Sequence, residues 1–212
     1  MRVYTLLATF LIVLVTGTTG HASTILFANL TTSQENHPVV PTTDTGDPRP
    51  VPSGSATFEL NTLMTALTFS ATIFDIDVTG TQTADANDNL TAAHIHASAT
   101  VTPMTNAGVV WGFFGMPLND VPNEIVIVPF SSGVGGTFSG TWDELEGNNT
   151  TLTDQLNNIL TGRSYINFHT VQFGAGEIRG AIQVVPEPYS IALLGIGIAV
   201  IAFARFRRQA SI

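Results

Sequence analysis

Ala56, Phe58 and Leu60 alternate with polar neighbours, and so do Leu67, Phe69, Ala71 and Ile73. A period of two is that of a strand with one buried face. The phase then slips, and Phe74, Ile76 and Val78 carry it on. A slip of one residue turns side chains to the other face, so a β-bulge is expected near Ile73-Phe74. Further alternating sets are Ile95, Ala97, Ala99 and Val101; Phe138, Gly140 and Trp142; Ile166, Phe168 and Thr170; and Ile178, Gly180, Ile182 and Val184. Val109 to Phe114 and Ile125 to Phe130 are unbroken apolar runs, the pattern of strands covered on both faces. Gly and Pro separate these runs. The pattern predicts an all-β domain, an antiparallel Greek-key-like β-sandwich.

One segment has a helical period. Leu152, Leu156, Ile159 and Leu160 share one helix face, Thr151 or Thr153 suits the start, and Gly162 the end. One short helix is expected there, over an open end or face of the sandwich. The Pro-rich stretch His37 to Pro52 reads as a linker or as a long loop within one domain. So few residues precede it that the loop is the better reading.

The two ends differ from the body. Arg2, then apolar Val3 to Val15, then small residues up to Gly20-His21-Ala22 follow the order of a secretory signal peptide cut after Ala22. At the far end, Tyr189 to Ala204 is apolar or small throughout, and Arg205, Arg207 and Arg208 follow. A helix of that length rises roughly 24 Å, a little short of a ~30 Å hydrocarbon core. Basic residues stay on the cytoplasmic side, so the body faces outward. The expected organisation is a signal helix over 1–22, a sandwich domain over 23–184, and a tail over 185–212 with a transmembrane helix at about 189–204.

Charge sharpens the reading. The chain holds 16 acidic residues against 7 basic ones and no lysine. All the acidic residues lie between Glu35 and Glu187, whereas only Arg49, Arg163 and Arg179 among the basic ones lie in the exported part. Such a surface repels nucleic acid, which is excluded as a partner. There is no cysteine, so neither a disulfide nor a thiolate nucleophile or ligand is available.

Chemistry concentrates in a few side chains. In His94-Ile95-His96 the imidazoles leave a strand on one face, where two can share a Cu or Zn ion. Tyr165, Asn167 and His169 share a face on another strand. After the turn Gly174-Ala175-Gly176, Glu177 and Arg179 project together. If that hairpin lies beside the His94 strand, one polar patch gathers His94, His96, His169, Asn167, Glu177 and Arg179. Two readings stand: a metal site, or a buried polar network that pins strand register without chemistry. Asp85-Ala86-Asn87-Asp88-Asn89 imitates the start of a calcium loop, but Leu90 stands where an EF-hand needs glycine, so it reads as a solvated turn. Asp75 and Asp77 fall on one strand face with nothing to pair them. Trp111 and Trp142, on apolar strands, read as core.

Two resemblances attach to these residues. Val185-Pro186-Glu187-Pro188, the oily strip and the cluster Arg205, Arg207, Arg208 resemble the PEP-CTERM sorting signal of Gram-negative bacteria. That resemblance implies the export machinery and an exosortase-type sorting enzyme as partners. It also implies an inner-membrane-tethered intermediate and a final place at the cell surface or in its matrix; a plain, uncut membrane anchor is the alternative. Leu90 to His96, Tyr165 to Thr170 and Gly176 to Gly180 resemble blocks of the CHRD domain, and Glu35-Asn36-His37-Pro38 resembles its first loop. The family implies a β-sandwich without established enzymatic activity. The expected role is therefore non-catalytic, binding or structural, with extracellular polysaccharide or surface proteins as candidate partners. The alternative is a Cu or Zn enzyme, a metal-dependent oxidoreductase, or a metal-scavenging domain. A His-x-His strand in a sandwich also resembles Cu/Zn superoxide dismutase in outline, although that family's disulfide has no counterpart here.

Overall fold

In the computed structural model, residues 23–101, 105–122, 124–186 and 193–201 are described. Ten strands pair antiparallel into one sheet. They are β1 (Thr24–Thr31), β2 (Ser53–Leu60), β3 (Ala66–Phe74), β4 (Leu90–Ala97), β5 (Val109–Phe114), β6 (Val126–Pro129), β7 (Gly135–Asp143), β8 (Ser164–Thr170), β9 (Ile178–Ala181) and β10 (Gln183–Val184). The order across the sheet is β5-β4-β8-β9-β1-β2-β3-β7-β6, with β10 also on β1.

The expected pair of separate sheets is instead one sheet curled over its own core. The join lies at β1. Thr31 pairs with Arg179 of β9, and Leu26 pairs with Val184 of β10, so the last strands bridge the two halves. Strands far apart in the ladder then meet through their side chains. Phe69 of β3 lies 5.7 Å from Trp111 and 4.8 Å from Phe113 of β5, centroid to centroid. Trp111 stacks on Trp142 of β7 at 5.7 Å and 4°. Both tryptophans are fully buried, as core positions should be. Each such side chain stabilises the fold by about 1.5–3 kcal/mol relative to exposure.

The period-two sets bury the faces they predict. Leu67, Phe69, Ala71 and Ile73 point inward, opposite Leu60, Phe58, Ala56 and Gly54. The bulge expected at Ile73-Phe74 does not form, because pairing stays regular through Phe74↔Gly135. The phase slip marks the end of β3, where Asp75 turns the chain at φ +61° and Ile76 returns to the core from a loop. Ladder irregularities occur instead along β4, at Ala93/His94 and Ile95/His96 against β5. The run Ile125 to Phe130 also departs from expectation. It forms an edge strand, β6, with Val126 and Val128 exposed, whereas β5 is covered on both faces. A continuous apolar run does not reveal whether a neighbour covers it.

Helix α1 (Leu152–Leu160) starts at Thr151 in a capping box. The Thr151 hydroxyl accepts from the Asp154 N–H, and the Asp154 carboxylate accepts from the Thr151 N–H. Leu152 and Ile159 are buried, and Gly162 leaves the helix at φ +71°. Thr151→Ala is expected to lower stability by about 1 kcal/mol, read from urea unfolding monitored at the buried tryptophans.

The Pro-rich stretch is a loop that packs back on the body. Thr42 exchanges hydrogen bonds with Gln172, and Arg49 pairs with buried Glu177. Beyond Pro186, residues 193–201 are helical and exposed. No helix among the described residues is long and apolar enough to cross a membrane. The rest of the 189–204 span, Glu187, Pro188, Arg205, Arg207 and Arg208, and the signal segment with Ala22 all lie outside the described residues.

Candidate metal centre

β4 and β8 lie side by side, as the hairpin argument requires. Their register sets Ala92 opposite His169, His94 opposite Asn167, and His96 opposite Tyr165. Alternation then places His94, His96, Tyr165, Asn167 and His169 on one face. On the opposite face, Ile95, Ile166 and Phe168 enter the core. Loops cover the histidine face, so the three imidazoles are only 4–7 % exposed. Gly112 lets one of these loops close. A Cβ there would stand 1.8 Å from the Pro117 carbonyl oxygen and 3.1 Å from the His94 ring, so no other residue fits without displacing the 115–119 turn.

Each imidazole is held from behind by a backbone carbonyl. His94 Nε2 lies 3.1 Å from the Met116 oxygen, His96 Nδ1 lies 2.9 Å from that of Ala107, and His169 Nδ1 lies 3.1 Å from that of Gly174. The other ring nitrogens turn toward one another. His94 Nδ1 and His169 Nε2 are 3.2 Å apart, and His96 Nε2 is buried with no hydrogen-bond partner. One ring nitrogen from each histidine lies within 4.8 Å of the others, near enough for the three to hold one metal ion. Burial pushes the pKa of His94 down to about 4 and that of His96 to about 3, and lowers that of His169. All three are neutral near pH 7, the state that binds metal.

The other patch residues divide. Asn167 stays at the centre, and its buried carbonyl oxygen lacks a donor. Arg179 lies over the Tyr165 ring at 3.5 Å and donates to Asn106 and to the Thr105 carbonyl. Tyr165 in turn stacks on His96 at 4.7 Å and 3°. Arg179 is therefore a brace behind the histidines. Glu177 does not reach the centre. It faces Arg49 and accepts from the Thr170 hydroxyl.

Glu35 joins the site without having been singled out for it. It is buried, and one of its carboxyl oxygens has no partner. That oxygen and the Asn167 amide crowd the same spot: a Cβ on Gly176 would stand 2.7 Å from Glu35 Oε1 and 2.6 Å from Asn167 Oδ1. Burial raises the Glu35 pKa to about 7, against the pull of Arg179 and the Asn36 N–H. The only sequence signal was its place in the loop Glu35-Asn36-His37-Pro38.

The acidic turns have ordinary roles. Asp85 accepts from the Asp44 and Asn87 N–H groups, but the turn is not simply solvated, because Asp88 is buried and accepts from the Thr83 hydroxyl. Asp77 is not paired with Asp75 on a strand; it is fully buried and accepts from the backbone of Thr79, Gly80, Gln82 and Thr83. Burial alone would raise its pKa, but these donors bring it below the usual range.

The fold and its centre define an all-β domain with a buried three-histidine cluster, followed at once by a hydrophobic tail. The family model of the CHRD domain matches residues 26–182, and the chain belongs to that family. The PEP-CTERM protein-sorting motif matches residues 184–208. That motif implies recognition by exosortase-type sorting machinery, and with it export and a surface or extracellular location. Neither the curated proteins nor the solved structures contain a match.

Proposed function

We propose that the protein is a binding module displayed at the cell surface or in its matrix, non-catalytic, with the histidine face as its binding centre. The observation behind this reading is the junction between domain and tail. The domain match ends at residue 182, the sorting motif begins at residue 184, and Gln183 and Val184 still pair with β1. No spacer intervenes. While the tail is in the membrane, the sheet stands at the membrane surface. A cut near Pro186 to Pro188 releases or re-anchors the domain with all ten strands intact. The surplus of acidic over basic residues suits an extracellular life as a soluble, mutually repelling surface. Extracellular polysaccharide and neighbouring surface proteins are the partners this location offers.

Mass spectrometry of the mature protein from its native host tests the reading. The expected C-terminus falls between Val185 and Tyr189. A mature protein that still ends in Ile212 would refute processing and leave a plain anchor.

A further inference from the structure

The proton count of the histidine face decides between its two readings. A neutral imidazole carries one N–H and one lone pair. A backbone carbonyl only accepts, so the three carbonyls claim the N–H of all three rings, at His94 Nε2, His96 Nδ1 and His169 Nδ1. The nitrogens left over, His94 Nδ1, His96 Nε2 and His169 Nε2, are all lone pairs. The 3.2 Å contact between His94 and His169 then joins two acceptors with no proton between them. Supplying that proton would require an imidazolium, which burial opposes, or the loss of a carbonyl bond. A self-sufficient cluster of imidazoles needs a donor among its rings, and none of the three turns one inward.

We propose that the cluster is a mononuclear transition-metal site. His94 Nδ1, His96 Nε2 and His169 Nε2 bind one Zn²⁺ or Cu²⁺ ion, with a fourth position open to water or a small anion. The inference rests on reading this face as the module's binding centre, and names what it binds. A cation turns three mutually repelling lone pairs into three bonds. The carbonyls behind the rings fix each tautomer, the arrangement that outer partners give to metal-binding histidines. An all-imidazole set without thiolate suits Zn²⁺ or Cu²⁺ rather than Ca²⁺ or Mg²⁺. Ligands at 2.0–2.1 Å in tetrahedral geometry stand roughly 3.3 Å apart, so the His94–His169 pair is already placed and His96 closes at most about 1.5 Å on binding.

The open position follows from ligand number. Among the described residues no carboxylate joins the three nitrogens, whereas a closed structural zinc site has four protein ligands. A metal-bound water brings two protons to place. Asn167, paired across from His94, and Glu35 just beyond it offer buried oxygens that lack donors. Glu35 in turn lines two clefts that open to the surface, one with Tyr165 and Arg179 and one with Gly174 and Gly176.

The test uses the mature protein purified from its host, stripped with a chelator and reloaded with Zn²⁺ or Cu²⁺ alone. Elemental analysis is expected to find one metal ion per chain. Electron paramagnetic resonance of the Cu²⁺ form should show nitrogen hyperfine structure from three imidazoles, and azide should shift its optical spectrum. His96→Leu and His169→Leu should abolish stoichiometric loading, while His37→Ala should not. The wild-type resonance needs no variant, so the test survives a variant that fails to fold. Folded wild-type protein that binds no metal, or a Cu²⁺ signal dominated by oxygen ligands, would overturn the site. A metal signal indifferent to azide would overturn the open position. C-terminal processing is read independently, so failure here leaves the sorting reading standing and the reverse also holds.

Discussion

Arg49→Met is expected to lower the stability of the domain by about 3–5 kcal/mol, a large share of what a domain of this size possesses. Arg49 comes from the Pro-rich loop and donates to Glu177, the Thr42 carbonyl and Gln172. Its side chain is 4 % exposed, and that of Glu177 is fully buried. Burial pushes the Glu177 carboxyl up even against the Thr170 hydroxyl and the guanidinium, so the cost of desolvation is real at this spot. Removing the cation leaves that carboxylate buried with one hydroxyl for company. Removing both partners removes the problem. The double variant Arg49→Met, Glu177→Leu is expected to recover most of the loss, because apolar groups of similar volume often replace a buried ion pair without penalty. Urea unfolding of the four corners of this cycle supplies the coupling energy. A loss below about 1 kcal/mol in Arg49→Met would mean that water reaches the pair as it reaches a surface salt bridge.

The same pair shows what was legible in the sequence. The β8–β9 hairpin followed from period two and the turn Gly174-Ala175-Gly176, and period two set His94 with His96 and Asn167 with His169; that the two strands are neighbours was only a condition, which the β4–β8 register meets. Helix α1 was legible from its own helical period, because Thr151, the apolar positions and Gly162 each act locally. Residues whose partners lie far along the chain were not legible. Alternation set Glu177 in the histidine patch, but its partner is Arg49, 128 residues away in a loop with no period at all. Glu35 likewise reaches the site through a turn, and only tertiary packing sets it against Asn167. Asp77 falls on a plausible strand face, yet it organises a loop, because the positive φ at Asp75 ended the strand two residues earlier. The division into two sheets failed for a related reason. Nothing in Gln183 and Val184 announces that β10 will cross to β1 and join the halves.

Glu35→Gln is expected to stabilise the metal-free protein, by an amount that depends on pH. Burial pushes the Glu35 carboxyl up to about 7 in the folded chain, from its ordinary 4.5. Desolvation causes this, opposed by Arg179 and the Asn36 N–H and assisted by Glu177. Below pH 4.5 both states hold the proton, and the carboxyl costs nothing extra. Between pH 4.5 and 7 the unfolded chain loses its proton while the folded chain keeps it, so the fold weakens as pH rises. The loss levels off above 7 at about 3 kcal/mol, and glutamine does not suffer it. The gap between variant and wild type should therefore open from pH 4.5 to 7 and stay constant at higher pH. The histidines act in the opposite sense. Their folded pKa values lie below 6.5, so their contribution is present above 6.5 and is lost as pH falls toward about 4 for His94 and about 3 for His96. Wild-type stability alone mixes the two slopes, but the histidines are common to both proteins and cancel in the difference. Urea unfolding at pH 5 and pH 8 in the presence of a chelator reads it. A gap equal at both pH values would show that Glu35 ionises at an ordinary carboxylate pKa. Loading with Zn²⁺ should narrow the pH 8 gap, because a cation near the Glu35–Asn167 niche favours the charged carboxylate that burial disfavours.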